Sequence, residues 1–199
     1  MTKKGTTPPG PTQTSQSIEK LWTELYSVTV RNRQSTHRVK VPLLRRMTRT
    51  LVRELLHKKR FELGVYLVGE PEITPLNEVY VGHKGSTDVI TLDYCEAYIA
   101  GEIFVCVDEA CIQAKRFRTT WQSEVVRYVV HGVLHLSGYD DRRARDRRRM
   151  KEAEERLVGE LGKRFSFQSL SAKTRNRKTE IRKKAEGRRP KTESRSRRA

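Results

Sequence analysis

Cysteine is scarce in this 199-residue chain: Cys95, Cys106 and Cys111 form an odd set with no CxxC spacing. That excludes a disulfide framework and leaves three small buried thiols of a reducing compartment. Long apolar runs are missing too, and none reaches the ~18 residues of a membrane span. A secretory signal peptide is not visible, because residues 1–17 are polar and Pro-rich. Acidic residues are outnumbered, 24 against 42 Lys and Arg, for a formal charge of +18. A globule with balanced surfaces is thereby excluded. The expectation is a cytoplasmic protein of one domain, without membrane association.

The positive charge is unevenly distributed. Residues 162–199 hold fifteen Lys and Arg and three Glu, a net of +12, which leaves +6 for the first 161 residues. This last segment lacks apolar periodicity and reads as a disordered basic tail that binds nucleic acid non-specifically through counterion release. Residues 1–17 read as a disordered lead. Residues 18–161 form the candidate domain, long enough to bury an ordinary core.

Within that domain, Glu24–Val30 reads as a strand. Pro42 opens a helix with a core stripe of Leu44, Met47, Leu51 and Leu55. Phe61–Val68 is a second strand, and Thr74-Pro75 starts a short helix through Tyr80. Val89–Tyr94 and Glu102–Val107 are two more strands. Asp108 is placed to cap a helix to Phe117, and Thr119 or Thr120 to cap another from Trp121 to Leu136. A last helix, Arg142–Leu161, buries Met150, Ala153, Leu157 and Leu161. Phe117 and Trp121 read as core. Strands gathered early and helices late predict an α+β fold: one small mixed sheet of about four strands with helices packed on it.

The chemically informative stretch is Val130–Asp141. His131 and His135, four residues apart on a helix, leave the same face about 6 Å apart along the axis, close enough to share one ion. Gly138 turns the chain back, and Asp141 arrives three residues later. Three protein ligands with positions left for water or substrate are the pattern of a catalytic metal site. Asp141 also stands before the next helix, where it or Asp140 would serve as an N-cap. The spacing further resembles the metzincin motif H-E-x-x-H-x-x-G-x-x-H, but Gly132 occupies the place of the general-base Glu, which disfavours a metalloprotease-like hydrolase.

His131-Gly132-Val133-Leu134-His135-Leu136-Ser137-Gly138-Tyr139-Asp140-Asp141 closely resembles the HGxLHLxGYDH signature of the YbeY family of rRNA maturation factors. Leu76–Tyr80 is similar to that family's LNxxY helix. Ser86–Thr91 and Gly101–Val107 are similar to its strand entry and following strand. The resemblance spans roughly Tyr26 to Leu161. It implies a single-strand-specific, metal-dependent endoribonuclease in rRNA maturation and ribosome biogenesis, with processing of the 16S rRNA 3′ end. His131, His135 and Asp141 are then the ligands of one divalent ion, with Zn²⁺ as the expected metal, and no catalytic side chain is assigned beyond them. Single-stranded RNA, rRNA and the ribosomal subunit are the implied partners.

Two departures from the family pattern matter. Its third histidine is Asp141 here, which makes the site harder and improves the odds of Mn²⁺ or Mg²⁺ against Zn²⁺. Its arginine after the tyrosine is Val81, which cannot hold a phosphate. Arg142, Arg143 and Arg145, beside the metal motif, and Lys84 in the loop after Val81 are the candidate RNA contacts. Asp141 and Val81 give weight to an alternative: a non-catalytic metal-containing assembly factor that binds rRNA.

Overall fold

The computed structural model describes residues 26–172. The 1–17 lead and most of the basic tail lie outside the described residues. Four strands, β1 (Tyr26–Asn32), β2 (Phe61–Val68), β3 (Val89–Asp93) and β4 (Ile99–Cys106), form one sheet in the order β1-β2-β4-β3. The β1–β2 and β2–β4 pairs are parallel, and β3 runs antiparallel to β4 at the edge. The fold is α+β with a single mixed sheet, as the order of elements predicts.

Alternation in β2 explains which face the helices cover. Phe61, Leu63, Val65 and Leu67 are all buried and stand opposite Ile99, Gly101, Ile103 and Val105 of β4. Each such side chain contributes about 1.5–3 kcal/mol on burial. Helix α1 (Val41–Thr50) packs on β1 through Leu44 and Met47 and continues into a wider π turn, Leu51–Leu55. Helix α2 (Glu70–Leu76) caps part of the opposite face, enclosing Val68, Ile73, Ile90, Phe104 and Cys106. Helices α3 (Val107–Phe117), α4 (Trp121–Leu136) and α5 (Ala144–Arg164) follow.

Helix α4 lies directly against β4 and β3. Its valines 125, 126, 129, 130 and 133 are buried, and so is Gly132. A Cβ on Gly132 would come within 2.8 Å of Ile103, so glycine is what lets helix and sheet approach this closely. On α5, Met150, Ala153, Leu157 and Leu161 are buried as their spacing predicts.

Several local expectations are corrected. Helix α2 starts at Glu70, with Pro71 in its first turn, and carries Pro75 inside it. Strand β4 starts three residues earlier than expected, at Ile99. Asp108 does not cap its own helix; its carboxylate accepts instead from Glu70 N, at the start of α2, at 2.8 Å and from the Thr36 hydroxyl. Phe117 is exposed, because α3 ends there and Arg118 turns left-handed, while Trp121 is partly buried and stacks on His37. Of the three cysteines only Cys106 is fully buried; all are unpaired. Past Leu161, residues Phe167–Leu170 form a 3₁₀ turn that buries Leu170, and Ser171 bridges to Val39. No helix among the described residues is long and apolar enough to cross a membrane.

Candidate metal centre

Thr120 caps α4, its hydroxyl accepting from Ser123 N at 3.2 Å. From that fixed start the helix carries His131 and His135 out on one face, their rings in contact with each other. The chain then leaves the helix through Ser137 and Gly138, whose φ of +90° is the left-handed conformation that glycine adopts readily. This reversal returns Asp141 to the histidines. One donor atom from each of His131, His135 and Asp141 lies within 4.8 Å of the others.

The donor set fits a single divalent ion. The two Nε2 atoms face each other at 3.1 Å, and His131 Nε2 is 3.9 Å from Asp141 Oδ2. Two ligands about 2.1 Å from one ion in tetrahedral array stand about 3.4 Å apart. His131 Nδ1 donates to Glu154 Oε2 at 3.0 Å, and His135 Nδ1 donates to the Tyr139 carbonyl at 3.1 Å. Both partners are acceptors, so each Nδ1 keeps its proton and both Nε2 lone pairs converge. Facing lone pairs require a cation between them, either a proton or a metal. Among the side chains, Asp141 is 44% exposed, His131 26% and Glu154 12%, so the centre opens on the side of Asp141.

Electrostatics follow from this geometry. Burial pulls His131 toward neutrality, but the hydrogen bond and charge of Glu154, with Asp88 and Asp141, outweigh it and hold the imidazole above its ordinary pKa. His135 is pushed below its ordinary value by burial and by the charge of His131. Burial raises Glu154, yet the hydrogen bonds from His131 and Arg127 more than cancel that and leave it below the usual carboxylate range. Arg127 reaches Glu154 Oε1 at 2.7 Å, so both carboxylate oxygens are engaged.

The capping alternative for Asp141 does not hold: α5 begins at Ala144, with Arg143 before it and no side-chain cap. Asp140 instead accepts from the Arg142 backbone N–H and from Arg142 Nε, which ties that arginine down. Arg147 donates to the Asp141 carbonyl at 2.9 Å and steadies the turn. Arg143 and Arg145 are exposed and make no side-chain bond among the described residues, and Val81, His83 and Lys84 are exposed after α2. Glu154 was not legible as a site residue, since it reads as counter-charge to the arginine run. The signal for it is its register: with Met150, Ala153, Leu157 and Leu161 it completes an i, i+3, i+4, i+7 stripe, where an acid needs a buried partner.

The family model for endoribonuclease YbeY matches residues 29–162. Proteins bearing that name are similar over shorter spans. The Chlorobium phaeovibrioides protein is 39% identical over 88 residues, 44% of this chain and 60% of that relative. The chain thus spans less than two-thirds of that relative's length. Those of Chlorobium luteolum and Parabacteroides distasonis are 36% and 33% identical, over 50% and 55% of this chain and 74% and 78% of theirs. A solution structure of TM1509 from Thermotoga maritima superposes with a TM-score of 0.52 at 28% identity, covering 68% of this chain and 89% of the other. Fold and relatives together define the class: proteins built like those named endoribonuclease YbeY, with a three-donor cluster that has the composition to hold a metal ion. Within that class, the chain belongs to the YbeY family.

Proposed function

We propose that this chain is a metal-dependent endoribonuclease that cuts single-stranded RNA in rRNA maturation, with the 3′ end of 16S rRNA as its implied target and the ribosomal subunit as its partner. The observation that carries the reading is the convergence of two Nε2 lone pairs and the Asp141 carboxylate, with each Nδ1 committed to an acceptor. A divalent ion held by His131, His135 and Asp141 would polarise a phosphodiester and acidify a water. Glu154 fixes the tautomer of His131, and the Tyr139 carbonyl does the same for His135. Arg143 and Arg145, exposed, without a side-chain bond among the described residues and within four residues of Asp141 in sequence, would hold the flanking phosphates. Arg142 contributes less, because Asp140 occupies its guanidinium, and Lys84 stands in the loop before β3.

A peptidase reading has no support from position 132. That residue abuts Ile103 inside the core, so a general base there would point into the sheet. The alternative of a non-catalytic assembly factor draws on Asp141, in the place of the family's third histidine, and on Val81, exposed where the family has an arginine. Incubating the full chain with single-stranded RNA, with and without chelator and beside His131→Ala, separates the two. The enzyme reading expects cleavage that chelator and the substitution both abolish. Cleavage surviving in His131→Ala would overturn it, and RNA binding without any cleavage would favour the assembly factor.

A further inference from the structure

Helix α1 and the π turn after it carry four arginines, Arg45, Arg46, Arg49 and Arg53, all exposed. Arg45, Arg49 and Arg53 recur every fourth residue, so they line one face at about 6 Å intervals along the axis. Together with Thr50 and Glu54 they line a groove of ≈ 310 Å³. A charged helix face is ordinarily laced with acids at i+3 or i+4, as α5 is. This face is not. Its one acid, Glu54, is taken by Arg164 at 2.7 Å and by the Thr50 hydroxyl at 3.2 Å. None of the four arginines forms an ion pair among the described residues.

Two of the guanidiniums are steadied over aromatic rings, Arg46 over Phe165 at 5.6 Å and Arg53 over Tyr26 at 5.3 Å. Like charges at i, i+4 destabilise a helix, a repulsion that an anionic ligand would relieve. The partner such a surface fits is a chain of regularly spaced single negative charges approached by forked donors, which describes a phosphodiester backbone.

We infer that the arginine face of α1 is a second RNA-binding surface, separate from the metal centre, which holds a stretch of the RNA remote from the scissile bond. The inference rests on the RNA substrate proposed above and adds a surface to it. Helix α1 packs on β1 at one edge of the sheet, whereas α4, which carries the two histidines, packs on β4 and β3 at the other. Three inter-strand spacings separate these edges, about 14 Å. At about 3.4 Å between phosphates along a stacked strand, that span takes about four to five nucleotides, so the surface adds to the binding of strands longer than this and not to that of shorter ones.

The test compares the full chain with Arg45→Gln/Arg49→Gln/Arg53→Gln, using a short and a long single-stranded RNA. Affinity is measured across a salt series in chelator, and cleavage is measured with metal. The triple variant is expected to bind the long strand at least about tenfold more weakly at 0.1 M salt. Its salt slope should fall by about 2, or 0.7 per lost phosphate contact. Cleavage of the short strand should match wild type. Arg49→Gln alone, the milder change, should lower the slope by about 0.7. Unchanged affinity and slope for the long strand would overturn the inference. So would loss of polyglutamate binding without loss of RNA binding, which would assign the face to an acidic protein. A wild-type chain that fails to cleave either strand would count against the nuclease reading alone, since the binding comparison stands without it.

Discussion

A carboxylate that accepts from His131 Nδ1 decides which nitrogen faces the ion, and Glu154 holds that role with its other oxygen fixed by Arg127. Glu154→Gln should therefore weaken divalent-ion affinity by roughly 10–100-fold while the domain stays folded, as a competition titration with a metal indicator would show. The raised pKa of His131 also sets a pH dependence. Its proton stabilises the metal-free fold, an increment fully present below the ordinary imidazole value and lost as pH rises through the raised one. An ion requires that proton to leave. The rise in melting temperature on adding metal should thus grow as pH climbs through the His131 pKa, and a pH-independent rise would refute the link. Tyr128 gives a test away from the centre. It is buried, and its hydroxyl has no hydrogen-bond partner among the described residues. Tyr128→Phe should stabilise by about 1 kcal/mol, or roughly 2–4 °C in thermal melts.

Among the elements, α4 couples core and chemistry most tightly. Gly132 faces Ile103 one residue after the first histidine, so Gly132→Ala has to displace the buried Ile103 side chain or the helix itself. The expected cost is about 1–3 kcal/mol by denaturant melt, with metal affinity falling alongside. The two histidines and Asp141 were legible because their spacing is local and a glycine turn stands between them. The strands were legible for a similar reason, since period-two burial is written into Phe61–Val68 itself. What escaped was set by distant partners. Asp108 looked like the cap of its own helix, but its carboxylate serves α2, 38 residues away. Glu154 looked like surface charge, but its partner lies 23 residues back on α4. Phe117 looked like core, but it stands exposed at the end of α3, with the Arg116 guanidinium over its ring.

At the scale of the whole molecule, the packed body continues past the expected boundary at Leu161. Truncation after Leu161 removes Leu170, which is fully buried, and the Val39–Ser171 bridge. It should cost about 1.5–3 kcal/mol. Truncation after Ala172 should leave the melting temperature unchanged while it weakens RNA binding and flattens its salt dependence. The same contrast of local and distant contacts bears on how the chain reaches its fold. His131, His135, Asp141 and Glu154 lie within 24 residues of chain, whereas Tyr26 pairs with Phe61 and Phe61 with Ile99 across 35 and 38. Contacts of short separation close their loops at less entropic cost and form sooner. The metal hairpin of α4 and α5 can therefore organise before the parallel strands find their register, which makes ligation a candidate accelerator of refolding as well as a condition for chemistry.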